Sequence, residues 1–255
     1  MSTAASDPSP TMTWTRDELL AFIAADPELT RLLDFARERM DDDPGHDLAH
    51  CLRVAIWAVA LGVSADQADA EQPSLIDTRE AIASALLHDI INVPKNSPDR
   101  ARASELCADL SRRELPAFGF SDAAVSRIGD AIRDHSYSRG AIPDSPLGRV
   151  LQDADRLEAL GVIGLFRCIS TGTRMGARYF HDEDPFAEHR ELDDRGFSID
   201  HFNNKLFKLP ATMLTERGRA EAERRARVLS FALSQLAIEL GQPFSDGSRV
   251  RPVHS

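Results

Sequence analysis

Nearly every stretch of this chain that carries apolar periodicity carries it at helical spacing, and strand-like alternation is almost absent. Such a chain can bury its apolar residues only by packing helix on helix, which makes the expected fold all-α. The start signals agree. Thr15 and Glu18 have the spacing of a capping box, Asp26-Pro27 opens a second helix, and Asp43-Pro44 opens a third running through Leu61 to Gly62. Asp77 with Glu80 starts a segment reaching His88-Asp89, Ser97-Pro98 one through Leu110, Ser121 one through His135, and Ser145-Pro146 one towards Leu160. Each start supplies a side-chain oxygen for the orphan N–H groups of a first turn, or a proline that has none to satisfy. Ser198 is read as opening a further helix that ends at Leu209-Pro210. Thr215 opens the last, where Leu229, Ala232, Leu233, Leu236 and Leu240 make one buried face. Between them HDEDPFAEHRELDDRGF is too polar to pack as a helix and reads as a loop, either a lid or a subunit contact.

The Ser-, Thr- and Pro-rich residues 1–13 cannot bury much and are read as a disordered leader, with residues 242–255 as a similar tail. What lies between, 14–241, is expected to be a single domain. A chain of 255 residues, 42% hydrophobic and 28% charged, can build a sizeable core, and no repeat suggests a solenoid. The 30 basic against 41 acidic residues give a net charge of −11. That excludes a broad basic surface for duplex nucleic acid or anionic lipid, while small anions stay within reach wherever cations gather locally. No basic n-region precedes an apolar stretch and no run of about 18 apolar residues occurs, so the expected location is the cytoplasm, with no membrane partner. Cys51, Cys107 and Cys168 are too few and too scattered for a disulfide framework or a thiolate zinc site, and read as reduced core thiols.

Chemistry concentrates in polar residues that interrupt apolar helices. His46 and His50 stand one helical turn apart in DPGHDLAHCLRV and project from one face if the helix already runs at His46. His88-Asp89 ends the apolar run Ala81 to Leu87, where an imidazole and a carboxylate each need a partner and a bound cation would satisfy both. The alternative there is a helix-end histidine with an aspartate bonded to backbone N–H groups. In LQDADRLEALGVIGLF, Asp153 and Asp155 enter a helix whose core side is Leu147, Val150, Leu151, Ala154 and Leu157. At roughly 100° per residue the two carboxylates point about 200° apart, so one metal takes at most one of them. Periodicity does not choose between them, and the other is left as a solvated partner of Arg149 or Arg156.

The order H…HD…D, carried by His50, His88-Asp89 and Asp155, resembles the HD-domain metal-dependent phosphohydrolase superfamily. LLHDIINVPKNSPDRARAS, VLQDADRLEALGVIGLFR, DEDPFAEHRELDD and DHFNNKLFKLPATMLTERGRA are similar to its bacterial YedJ/YpgQ-like branch, over roughly residues 16–241. The resemblance implies an HD core at about 43–160 with a C-terminal helical extension at about 161–241. It also implies that His50, His88, Asp89 and Asp155 converge on one divalent cation. Two imidazoles and two carboxylates suit Mn²⁺, Fe²⁺, Co²⁺, Ni²⁺, Zn²⁺ or Mg²⁺; manganese is preferred on family grounds.

The implied reaction is hydrolysis of a phosphate ester or anhydride in a small nucleotide, with deoxynucleoside triphosphates cleaved to monophosphate and pyrophosphate as the leading case. Asp89 would touch the metal and orient the attacking water, and His46 would protonate or steady the leaving group. Lys95 and Arg100 put cations beside the proposed metal for a polyphosphate, with Arg102 as a further one or a solvated helix charge. His135 and Arg156 are further candidate substrate contacts, with Arg156 alternatively steadying Asp155. Other readings are a nucleotide-binding HD sensor with little turnover, a phosphomonoesterase or phosphodiesterase on another nucleotide, and a helical scaffold in which the His/Asp set is coincidental. A homodimer is compatible with any of them.

Overall fold

The computed structural model describes residues 14–40, 47–62, 76–91, 93, 102–136 and 139–242. Among them ten α-helices and no strand occur: α1 (Arg16–Ala25), α2 (Pro27–Arg39), α3 (Leu48–Gly62), α4 (Thr78–Leu87), α5 (Ala103–Glu114), α6 (Asp122–Asp134), α7 (Pro146–Leu157), α8 (Gly161–Arg174), α9 (Asp200–Asn204) and α10 (Glu216–Leu240). The expected all-α fold is what forms. No helix among the described residues is long and apolar enough to cross a membrane. The leader, most of the tail, Asp43-Pro44 and Ser97-Pro98 lie outside the described residues.

The start signals act locally. Thr15 and Glu18 complete their capping box, Ser121 accepts from Ala124 N, Ser145 from Gly148 N with Pro146 at the first helical position, and Thr215 from Gly218 N. Asp26 ends α1 and starts α2, accepting from Glu28 N at 2.9 Å and Leu29 N at 3.1 Å, while its other oxygen meets Arg79 Nε of α4 at 2.8 Å. Partial burial works against this carboxylate, but the Leu29 N–H and the Arg79 charge outweigh it and hold its pKa below the ordinary 3.8. A depressed folded pKa contributes stability above the unfolded value that is lost as pH falls through the folded one. Asp26→Asn is therefore expected to cost about 1 kcal/mol at neutral pH. Urea unfolding of both proteins should show that gap closing in acid, below the unfolded pKa.

α3 is buried on nearly every side, from His50 and Cys51 through Leu61, as a helix apolar all round must be. α4 and α7 pack directly on it, and α6 packs on α5 and α7. The apolar core is continuous from Leu19 and Ile23 of α1 to Leu229 and Leu233 of α10. Gly161, at φ +70°, turns the chain between α7 and α8 in a backbone conformation other residues rarely adopt. α10 packs on α8 and α7, and buried Arg225 pins it: the guanidinium bonds Glu221 at 2.7 Å and the Leu157 carbonyl at 2.7 Å, and lies over the Trp57 ring. Of the proposed face of α10, Leu229 and Leu233 are buried and Leu236 is half-buried.

The charged segment after α8 is non-helical, as expected, and held in place. An isolated bridge joins Arg178 to Phe197, Asp184 accepts from Glu188 N and His189 N, and Arg190 grips Asp200 with both terminal nitrogens. The helix expected from Ser198 to Leu209-Pro210 is corrected: the chain forms only the short α9 and then a 3₁₀ turn over Leu206–Thr212. Ser198 does not cap. Its N–H donates to Arg178 O, and its hydroxyl is buried without a hydrogen-bond partner among the described residues.

Candidate metal centre

One helix start and three helix ends meet beside the core. His50 stands in the first turn of α3, where its N–H donates to Asp47 at 2.8 Å. His88 and Asp89 follow the last turn of α4, His135 follows α6, and Asp155 belongs to the last turn of α7. His50 Nε2 and His88 Nε2 are 3.2 Å apart. Asp155 Oδ1 is 3.5 and 3.8 Å from those two nitrogens, and Asp89 Oδ2 is 3.9 and 3.6 Å from them. Donor atoms of His50, His88 and Asp89 all lie within 4.8 Å of one another. Neighbouring ligands on a cation held at about 2.1 Å stand about 3 Å apart, so a modest contraction would close this set on one ion.

The hydrogen bonds behind the rings aim the lone pairs. His88 Nδ1 faces the Ala85 carbonyl at 2.8 Å and His135 Nδ1 faces that of Ile132 at 2.6 Å. A carbonyl only accepts, so both rings carry a proton on Nδ1, and in a neutral ring that leaves Nε2 bare and turned inward. His135 Nε2 lies 3.8 Å from Asp89 Oδ1, so the two oxygens of Asp89 address different histidines. Burial pulls the pKa of His50 and of His135 down and keeps these imidazoles neutral. Burial works to raise the Asp155 carboxyl, but the charge that His88, His50 and His135 would carry if protonated outweighs it and draws it down. The rings of His50 and His88 are 0% exposed, whereas Asp89 and Asp155 are 28% and 24% exposed, so the carboxylates form the open side. A thiolate-free set of imidazoles and carboxylates, with its donor atoms convergent, fits a borderline-hard divalent ion.

Asp153 points the other way. Far from being a solvated partner of Arg149 or Arg156, it is fully buried and accepts from Leu214 N, Thr215 N and Thr215 Oγ1 at 2.7–3.1 Å, ahead of α10. Burial raises its carboxyl pKa. Arg156 donates to the Thr212 carbonyl at 2.8 Å and to its hydroxyl at 3.2 Å. Arg102 is exposed, 3.5 Å from Glu105. His46, Lys95 and Arg100 lie outside the described residues. Four neighbours went unread in the sequence. Glu158 packs against His50 Nδ1 at 3.4 Å and Arg53 Nε at 2.7 Å, and Arg167 stands 3.1 Å from the same His50 nitrogen. Half-buried Lys205 interacts electrostatically with Asp155, Arg156 and Arg167, and burial lowers its pKa. Only Glu158, one turn beyond Asp155, and Arg53, one turn beyond His50, carried a helical-spacing signal.

A family model described as HD domain matches residues 47–160, the stretch holding all four of these candidate ligands. The uncharacterized protein YpgQ of Bacillus subtilis (strain 168) is 30% identical over 200 residues, covering 77% of this chain and 85% of that protein. This chain belongs to the HD-domain superfamily. Among solved structures, that of B. subtilis YpgQ in complex with ADP superposes with a TM-score of 0.62 at 27% identity, covering 83% of this chain and 94% of that one. A predicted HD superfamily hydrolase from an uncultured Thermotogales bacterium gives 0.56 at 28% identity, covering 87% and 98%. HD domains bind divalent metals, and in this one His50, His88 and Asp89 are placed to hold such an ion.

Proposed function

We propose that this HD-domain protein is a metal-dependent phosphohydrolase acting on a nucleotide, with deoxynucleoside triphosphate pyrophosphohydrolysis as the leading reaction. One observation carries the reading: the Nε2 atoms of two buried imidazoles and two partly exposed carboxylates face a common centre on one side of the core. The YpgQ relative solved with ADP supports a nucleotide as the ligand. His50, His88, Asp89 and Asp155 would hold the ion, with Mn²⁺ preferred. A divalent cation held there supplies charge to polarise a phosphoryl oxygen and acidifies water enough to make a nucleophile near neutral pH.

The chain's own residues do the rest. Asp89 is the carboxylate best placed to orient the attacking water, because its Oδ1 faces His135 while Oδ2 faces the other two histidines. His135, buried and with its Nδ1 committed to the Ile132 carbonyl, is placed to accept from a substrate hydroxyl on that side through Nε2. Arg167 beside His50 and Lys205, which interacts with Asp155, bring positive charge to the site in a chain of net charge −11, which suits a small polyanion held locally. Arg156 acts from behind, steadying the turn at Thr212. Lys95 and Arg100 as phosphate contacts, and His46 as the acid for the leaving group, complete the assignment on sequence pattern.

The test is turnover of a mixed nucleotide pool with added Mn²⁺, products being identified by mass. Deoxynucleoside monophosphate and pyrophosphate should form, and a chelator should stop the reaction. Binding of nucleotides with no product beyond the uncatalysed background would overturn the proposal, and faster loss of duplex DNA than of any mononucleotide would overturn the substrate class.

A further inference from the structure

At the end of α7, Glu158 is 1% exposed, and its two oxygens are used unequally. Oε2 meets Arg53 Nε at 2.7 Å and His50 Nδ1 at 3.4 Å, with Arg167 at 3.9 Å, while Oε1 is buried with no hydrogen-bond partner among the described residues. A buried carboxylate left half satisfied is a poor source of stability. Its placement makes sense through what it touches. Arg167, 24% exposed, approaches the same His50 nitrogen at 3.1 Å.

These two neighbours make opposite demands. A carboxylate only accepts, so Glu158 requires a proton on His50 Nδ1; a guanidinium only donates, so Arg167 requires that nitrogen bare. In a neutral imidazole the choice fixes the other nitrogen. With Nδ1 protonated, Nε2 turns a lone pair towards His88 and Asp155. With Nδ1 bare, Nε2 carries a hydrogen aimed into the donor cluster, and His50 has nothing to offer a cation there.

We propose that Glu158 and Arg167 are opposed positioning residues for His50: Glu158 selects the cation-binding tautomer, Arg167 the other, so that taking up a metal ion and releasing Arg167 from His50 are one event. The proposal rests on the metal reading given above. Arg53 donates to Glu158 from Nε and holds it in place. The side chain released is a cation at the exposed edge of the site, where an anionic substrate would arrive.

The experiment compares the wild-type protein with E158Q, R167M and H88A, each full length. Nitrogen-15 shifts of the His50 ring in the metal-free protein, at mildly alkaline pH, read the tautomer directly. E158Q should move His50 towards Nε2–H and R167M towards Nδ1–H. Titration with Mn²⁺, followed through the resonance of the free ion, should show binding 10–100-fold weaker in E158Q, the usual cost of removing the partner of a metal-ligating histidine, and no weaker in R167M. Unchanged tautomers in both variants, or equal weakening of Mn²⁺ binding by both, would overturn the proposal. Equal Mn²⁺ binding by the wild type and H88A would sink the metal reading instead, with the tautomer shifts still standing as their own result. If E158Q does not fold, R167M decides: a His50 ring that stays at the wild-type tautomer overturns the proposal, and a shift to Nδ1–H upholds it.

Discussion

His88→Ala is expected to remove bound metal, turnover and part of the thermal stability together. The ring is fully buried, its Nδ1 is committed to the Ala85 carbonyl, and its Nε2 stands 3.2 Å from that of His50. Alanine therefore deletes one donor of the set and leaves a void beside another. An ion that binds only the folded state stabilises it by about 2.7 kcal/mol when present at a hundred times its dissociation constant, and that increment should vanish. Lost packing adds about 2 kcal/mol or more. Turnover should fall on the order of 10³-fold or further, since charge stabilisation by a bound cation is worth several kcal/mol in the transition state. Thermal melts with and without chelator separate the two losses. The wild-type melting temperature should drop on chelation, and that of the variant should not respond. Asp89→Asn, which keeps the size of a side chain already 28% exposed, should reproduce the metal and activity losses with less of the packing cost. Full activity in His88→Ala would end the metallohydrolase reading.

What could be read from the sequence divides by the range of the interaction. The starts at Thr15, Asp26, Asp77, Ser121, Ser145 and Thr215 were legible because a capping oxygen reaches only two or three residues along its own chain. Ser198 misled for the complementary reason. Its backbone answers to Arg178 and the neighbouring Asp200 to Arg190, and no local pattern announces either bond. The same division runs through the site. The reading that His50, His88-Asp89 and an aspartate of α7 share an ion came from ordered polar intrusions and a family resemblance, and helical spacing said that Asp153 and Asp155 face apart. The pairing of Glu158 with His50 spans 108 residues, and that of Arg167 with His50 spans 117. Spacing rules do not extend across such separations, because they are set by how α3, α7 and α8 dock.

The sharpest test of that docking uses two aspartates of one helical turn, which should fail in opposite ways. Asp155→Asn keeps the shape of a side chain 24% exposed at the site and removes the charge that faces His50 and His88, so the metal and turnover should be lost while the metal-free protein melts near the wild-type temperature. Asp153→Asn leaves that centre alone. Its carboxylate is buried and gathers the N–H groups of Leu214 and Thr215 and the Thr215 hydroxyl, the residue that caps α10. An amide in its place turns one NH₂ against those donors, and a charged acceptor that served several bonds is gone, a loss of about 2–4 kcal/mol. The protein should therefore unfold at distinctly lower denaturant concentration, with α10 and its Arg225 anchor loosened first, yet still bind one equivalent of cation and turn substrate over when assayed well below its melting point. Hydrogen exchange along α10 and metal content measured on the same samples give both readouts. A stable, metal-free Asp153→Asn beside an active Asp155→Asn would mean that the two carboxylates occupy each other's faces of α7, and both assignments would fall together.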